Sequence, residues 1–182
     1  MYQEYYKRFL QGDDGALEHI IRAYRDGLLL YIHGIVGDMH LAEELAEDVF
    51  VKLVVKRPKF SQKSSFKTWL YAVGRNVARD CMRREKRTTV PLEECPELSD
   101  DEKDLEQNYI GQEDRILLHR AMRQLKMEYR QILWLVYFED FSLSQAARIM
   151  GKSTHNAQTI VYRARKALKE KLMQEGYEYE KL

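Results

Sequence analysis

Apolar residues recur every three to four positions along most of the chain, which is the spacing of one helix face. In the N-terminal half this pattern predicts a helix over Tyr2 to Leu10, a second that ends at Gly37, and a third from Leu41 to Val55. Asp13 or Asp14 is placed to cap the second helix. The third has apolar residues on one side and exposed carboxylates on the other, at Glu43, Glu44, Glu47 and Asp48.

A fourth helix is predicted from about Thr68 to Arg87, with arginines along one side of an aromatic and apolar base. Arg75, Arg79, Arg83 and Arg87 recur at every fourth position. At about 1.5 Å per residue they span roughly 18 Å, enough to follow several phosphates of a nucleic acid. Asn76 and Arg84 lie on the adjoining row, where their side chains could read base edges. A solvated basic face is the ordinary alternative.

The C-terminal part predicts a pair of helices joined by a tight turn. Ser142 and Gln145 form a capping-box pattern, Gly151 suits the turn, and Ser153 can cap the second helix. Two buried stripes precede the pair, at Ile116, Leu117, Ala121 and Leu125, and at Ile132, Leu133, Leu135, Val136 and Phe138. This geometry is that of a DNA-reading helix-turn-helix, with an ordinary helical hairpin as the alternative.

Charge is segregated along the chain although the net charge is only +1. Residues 56–88 carry a net charge of +9, residues 91–115 a net charge of −8, and residues 116–182 a net charge of +5. Two basic modules around an acidic segment point to nucleic acid. The sequence therefore predicts an all-α protein with domains at 1–90 and 112–182 and a flexible acidic linker at 91–111.

Targeting and redox signals are weak in this sequence. No run approaches the roughly 18 apolar residues of a membrane span, and the N-terminus lacks a signal peptide's apolar core. Cys81 and Cys95 form no metal-binding spacing with a histidine, and a disulfide or redox pair is the minor alternative. A cytoplasmic protein without membrane insertion is expected.

Several motifs together resemble the extracytoplasmic-function (ECF) group of bacterial sigma-70 family sigma factors. The resemblance rests on Ala42–Phe50, on Phe66–Leu70 with Arg75–Asp80, and on Gly151–Ser153 with Tyr162–Leu168. It covers nearly the whole chain, including the order of the domains. Glu47, Gln145, Gln158 and Ile160 depart from the usual family pattern. Gln158 and Ile160 stand where basic residues are common, which leaves the recognition helix less cationic than expected.

The resemblance implies a role for each region. The third helix would dock on core RNA polymerase through Glu43, Glu44, Glu47, Asp48 and Val51. The first domain would bind and melt the minus-10 promoter element through Lys63, Ser64, Ser65, Phe66, Lys67, Trp69, Arg75, Asn76, Arg79, Arg83 and Arg84. The second would read the minus-35 element through Ser153, Thr154, His155, Gln158, Thr159, Tyr162, Arg163 and Lys166. The implied partners are core polymerase, promoter DNA and an anti-sigma factor, and the free protein is expected to be a monomer.

Two other classes of protein fit the sequence less well. A stand-alone helix-turn-helix regulator with an N-terminal oligomerisation domain explains the C-terminus but not the acidic third helix or the basic fourth one. An enzyme acting on nucleic acid requires a carboxylate triad, a phosphate-binding glycine loop or a nucleophile–base set, and none is evident. The sequence thus predicts no catalytic residues, cofactor or metal site.

Overall fold

The structure is a computed structural model that describes residues 2–58, 65–88 and 112–176, and these residues are helical with short connections. The predicted linker, together with Lys63 and Ser64, lies outside the described residues. The helices are α1 (Tyr2–Leu10), α2 (Asp14–Val36), α3 (Met39–Lys56), α4 (Phe66–Thr88), α5 (Gln112–Arg123), α6 (Met127–Leu133), a π-helical turn (Trp134–Phe138), α7 (Leu143–Met150) and α8 (Thr154–Gln174).

Aspartates begin two of the long helices. The Asp13 side chain accepts a hydrogen bond from the Ala16 backbone at 3.2 Å, and Asp38 accepts one from Leu41 at 2.7 Å. Asp38 explains why α3 begins two residues before the predicted start, since a cap satisfies amides that have no partner inside the helix. Gly37 ends α2 in the left-handed conformation, with φ +80°.

The first domain is the packing of α1 to α4 around one apolar core. Its largest fully buried side chains include Tyr6, Phe9, Ile20, Leu28, Ile32, Leu53 and Leu70. Gly74 lets α4 approach α2 closely, because a Cβ there would lie 2.7 Å from Leu28 Cδ1. The buried residues of α2 and α3 all face this core.

The helix-turn-helix prediction is confirmed in the second domain. The Gln145 amide donates to Ser142 Oγ at 3.3 Å, and the Ser142 amide donates to Gln145 Oε1 at 2.9 Å, which completes the capping box. Gly151 adopts φ +63° at the turn, and Ser153 Oγ caps α8 by accepting from the Asn156 amide at 3.2 Å.

The π-helical turn changes which side chains face inward after Leu133. The Glu139 amide donates to the Trp134 carbonyl at 3.1 Å, five residues back instead of four. The prediction that Phe138 belongs to the buried stripe was wrong: its ring is 41% exposed and stacks on Trp134 with centroids 4.5 Å apart. One extra residue in the turn shifts the helical phase, which a regular period cannot anticipate.

The two domains pack against each other, with α7 on α4 and α6 on α2. Tyr71 of α4 and Phe141, which precedes α7, are both buried and meet edge to face at 5.1 Å. Among the described residues, no helix is both long and apolar enough to cross a membrane.

Candidate nucleic-acid and polymerase interfaces

Helix α4 presents two distinct rows of polar side chains. Asn76, Arg79, Arg83 and Arg84 are exposed on its outer surface. Arg83 lies 3.7 Å from Asp80, one turn away, in an ion pair whose two side chains are mostly exposed. Exposed pairs of this kind contribute little to stability, so the guanidinium stays available to an anion such as a phosphate.

The second row of α4 faces the second domain. Lys67, Tyr71 and Arg75 follow each other at intervals of four residues, which places them on one side of the helix. Arg75 is 8% exposed, and its Nε donates to Gln131 Oε1 at 3.0 Å in a buried hydrogen bond. Burial lowers the pKa of Arg75 from its ordinary value. Arg75 therefore does not share the solvent-facing surface of Arg79 and Arg83.

Lys67 is held by Glu139, the residue that follows the π-helical turn. Lys67 Nζ lies 3.0 Å from a Glu139 carboxylate oxygen and donates to the Glu139 backbone carbonyl at 2.7 Å. The Glu139 side chain is only 12% exposed. The same ammonium lies over the rings of Phe141 and Tyr71, at 4.8 Å and 5.7 Å from their centroids.

Tyr71 completes this contact region. Its hydroxyl is buried without a partner of hydrogen-bonding geometry in the described part of the chain. Burial, followed by the neighbouring Glu139 carboxylate, raises the pKa of Tyr71 far above its usual range. A neutral phenol is therefore packed beside the charged Lys67–Glu139 pair.

The aromatic residues at the start of α4 belong to an aromatic cluster. Phe66 is 2% exposed and packs against Tyr6 and Trp69, with centroid distances of 4.9 and 5.7 Å. Trp69 is half-buried in the same cluster, which limits how much of its ring a base could contact. In this conformation the Phe66 ring is not available to DNA, so its predicted contact would require a rearrangement. Ser65 is exposed and its hydroxyl accepts from the Thr68 amide at 3.1 Å.

Helix α8 presents its predicted reading surface to solvent. Ala157 and Ala164 are buried, whereas the polar residues around them face outward. The predicted minus-35 residues are exposed at Ser153, Thr154, His155, Gln158, Tyr162, Arg163 and Lys166, and half-buried at Thr159. Tyr162 is 72% exposed, which is unusual for so large a ring.

A groove of about 300 Å³ runs between α2 and α3. Its apolar lining comes mainly from Ile21, Leu29 and Phe50, and Glu43, Glu47, Val51 and Arg25 also line it. Of the predicted docking residues, the structure thus places Glu43, Glu47 and Val51 at one groove, while Glu44 and Asp48 are exposed elsewhere on α3. Val55, 74% exposed, follows Val51 one turn later.

Four residues that contribute to these surfaces could not be singled out from the sequence. Ile21 and Leu29 read as ordinary core positions, and Glu139 reads as an ordinary surface acid. Gln131 is 4% exposed and is placed only by its contact with Arg75, 56 residues earlier. An acid shortly after the long apolar run 132–138 is the one hint that could have marked Glu139.

Comparison with known proteins identifies the class. The family model described as Sigma-70 region 2 matches residues 20–88, and the model described as Sigma-70, region 4 matches residues 115–168. The chain belongs to the sigma-70 family, within its extracytoplasmic-function group. Both surfaces of α4 and the predicted minus-35 residues of the helix-turn-helix fall inside the matched segments.

Individual relatives agree with this assignment. The chain is 25% identical to the ECF RNA polymerase sigma factor SigW of Bacillus subtilis, over 91% of this chain and 94% of SigW. It is 27% identical to the RNA polymerase sigma-H factor of Pseudomonas aeruginosa, over 91% of each chain. The fold resembles RpoE of Bartonella quintana, solved in complex with the anti-sigma factor NepR, with a TM-score of 0.67, 22% identity and coverage of 86% and 96%. CnrH, solved with the cytosolic domain of CnrY, has a TM-score of 0.67, 16% identity and coverage of 95% and 97%.

Proposed function

We propose that this protein binds core RNA polymerase and directs it to specific promoters as an ECF sigma factor. Family membership supports this function. One structural observation supports the assignment of a separate DNA element to each domain. A cationic surface on α4 and a polar helix surface on α8 lie on different domains. Two such surfaces suit two separate DNA elements.

The first domain is assigned to the minus-10 element. The exposed Asn76, Arg79, Arg83 and Arg84 combine phosphate-binding cations with one amide that can read a base. Opening of the duplex without ATP requires that unpaired bases bind more tightly than paired ones. Capture of even one extruded base can offset the few kcal/mol, roughly, of unpairing.

The second domain is assigned to the minus-35 element. Helix α8 begins directly after the Gly151 turn, and its N-terminal half carries exposed Thr154, His155 and Gln158. A recognition helix contacts base edges through its N-terminal residues. Arg163 and Lys166, one to two turns later, are placed for phosphate contacts.

The groove between α2 and α3 is assigned to core polymerase. Its apolar lining and flanking Glu43 and Glu47 suit a partner helix that offers an apolar side chain between basic ones. Val51 and Val55 extend the apolar surface along α3. Exposed valines beside acidic residues favour a surface that a protein partner covers over one that stays in contact with water.

Regulation by an anti-sigma factor is part of the proposal. RpoE and CnrH, which share this fold, were solved with the anti-sigma factor NepR and with the cytosolic domain of CnrY. The chain is a regulatory protein by family, and we infer that it has no catalytic residues or cofactor of its own. It acts in the cytoplasm, where RNA polymerase transcribes.

Purified core polymerase and a pool of genomic DNA fragments test this function. With the protein added, we expect transcripts that start at a small set of shared sequences, and with core alone we expect none of these starts. A stand-alone regulator would bind duplex fragments by itself and gain nothing from core. That result would refute the proposed function.

A further inference from the structure

One side chain of α1 contacts both ends of the stretch that joins α3 to α4. Residues 59–64 of this stretch lie outside the described residues, and Pro58 and Ser65 border them. The Tyr6 hydroxyl donates to the Pro58 backbone carbonyl at 2.5 Å, and the Tyr6 ring packs against Phe66 with centroids 4.9 Å apart. Tyr6 therefore connects the end of α3 to the start of α4.

The bond between Tyr6 and Pro58 satisfies two polar groups at once. Tyr6 is 1% exposed, and a hydroxyl buried without a partner costs free energy. Proline has no amide hydrogen, so the carbonyl is the only backbone group through which Pro58 can be bonded. Burial also raises the pKa of Tyr6 to about 12, so its phenol remains a neutral donor at physiological pH.

A second contact holds the residue before Pro58 against α1. Arg57 has φ +37°, and its guanidinium lies over the Phe9 ring, 4.9 Å from the centroid. An Asp14 carboxylate oxygen lies 3.8 Å from the same guanidinium. Phe9 follows Tyr6 by three residues, so the two rings lie on one side of α1. Two successive residues at the end of α3 are thus held by a single helix surface.

Helix α4 begins against the same tyrosine ring. Phe66 is 2% exposed, and the Trp69 ring lies 6.1 Å from the Tyr6 ring. The Ser65 hydroxyl accepts from the Thr68 amide at 3.1 Å, as a residue at a helix N-cap does. Both described ends of the stretch are therefore held in place relative to α4.

We propose that Tyr6 is a positioning residue for promoter opening, because it fixes Pro58 and Phe66 on either side of the predicted minus-10 residues Lys63 and Ser64. This inference rests on the proposed function. It gives the buried Phe66 ring a role as an anchor in place of the direct DNA contact predicted for it.

The role follows from what promoter opening requires. Capture of an extruded base depends on contacts that are already in position, since a small displacement weakens an interaction made only in the opened state. Tyr6 supplies this support from outside residues 20–88, the segment that the Sigma-70 region 2 model matches. Helix α1 is thus a functional part of the first domain and not only a cover for its core.

The test uses three substitutions. Tyr6→Phe removes the hydroxyl that bonds Pro58 and keeps the ring. Tyr31→Phe is the matched control, because Tyr31 is also buried in the first domain and its hydroxyl has no partner of hydrogen-bonding geometry in the described part of the chain. Arg57→Asn is the second variant, since asparagine tolerates the left-handed backbone conformation while the guanidinium is lost.

Polymerase carrying each variant is mixed with a promoter that the wild-type protein selects with core. The rate of open-complex formation, measured against polymerase concentration, separates initial duplex binding from opening. Tyr6→Phe should open DNA about fivefold more slowly with unchanged initial binding, the size of effect that loss of one neutral hydrogen bond produces. Arg57→Asn should slow opening about twofold, as expected for an exposed cation–π contact. A pre-opened template should restore both complexes, and Tyr31→Phe should match wild type throughout.

The two templates distinguish positioning from a general loss of stability. Less folded protein would reduce the complexes on duplex and pre-opened DNA by the same factor, and that result would overturn the proposal. Opening by Tyr6→Phe at the wild-type rate, or an equal loss in Tyr31→Phe, would also overturn it. If Tyr6→Phe does not fold, Arg57→Asn decides by the same criteria. Failure of the proposed function is distinguishable, since it would appear as absent core-dependent transcription with the wild-type protein.

Discussion

Reversing two acids at the α2–α3 groove should weaken binding to core polymerase without unfolding the protein. Glu43 and Glu47 are exposed and line this groove, one helical turn apart. Lysine and glutamate have similar helix propensities, so Glu43→Lys with Glu47→Lys leaves α3 intact. The perturbation thus acts on the surface and not on the core.

The expected loss of binding free energy follows from the solvent exposure of the two carboxylates. Two unit charges 4 Å apart interact by about 1 kcal/mol in water, and exposed ion pairs measure about 0.2–1 kcal/mol. Taking about 0.5 kcal/mol per carboxylate, reversal replaces each attraction by a similar repulsion, for a total of about 2 kcal/mol. The dissociation constant should rise roughly 30-fold, since each 1.4 kcal/mol or so is a factor of ten.

Titration of labelled protein with core polymerase measures this constant at low and high salt. The difference between variant and wild type should shrink at high salt, because exposed charges are screened. Glu4→Lys is the control for a charge change elsewhere, since Glu4 is exposed on α1 and pairs only loosely with Lys7 at 3.6 Å. An unchanged affinity in the double variant, or an equal loss in Glu4→Lys, would refute docking at the groove.

Three further predictions concern the caps, alkaline pH and salt. Ser142→Ala should lower the free energy of unfolding by about 1 kcal/mol in a chemical denaturation curve, because the capping box with Gln145 is lost. Burial raises the pKa of Tyr6 from about 10 to about 12, so the unfolded chain loses this proton first and stability should fall as pH rises between these values; Tyr6→Phe should show a smaller fall over the same pH range. Arg163→Ala should reduce the log–log salt slope of duplex binding by about one, whereas the uncharged change Gln158→Ala should leave the slope unaltered.

Local signals explain why most of the helices could be predicted. Helix caps and turns bond to residues only three or four positions away, so their effects are visible in the sequence. Examples are Asp13, Ser142, Ser153 and Gly151. The apolar stripes follow the same short period. The all-α fold and the helix-turn-helix were therefore predicted correctly from adjacent positions alone.

The placement of α4 could not be predicted in this way. A spacing of four residues puts Arg75 and Arg79 on neighbouring surface positions, but α7 and α6 cover only one of them. What covers Arg75 is Gln131, 56 residues later, and what holds Lys67 is Glu139, 72 residues later. The π-helical turn before Glu139 cannot be predicted from a regular helical spacing of apolar residues. For the same reason Phe138 was wrongly predicted to be buried.

Permanganate footprinting of unpaired thymines tests the division of labour most directly, with polymerase carrying each variant on duplex and pre-opened promoter templates. The account predicts that Asn76→Ala impairs opening of the duplex and that a pre-opened template restores its complex. It predicts that Arg163→Ala reduces duplex binding and is not fully restored by pre-opening. Normal opening by Asn76→Ala together with failed duplex binding would contradict the assignment of the two domains.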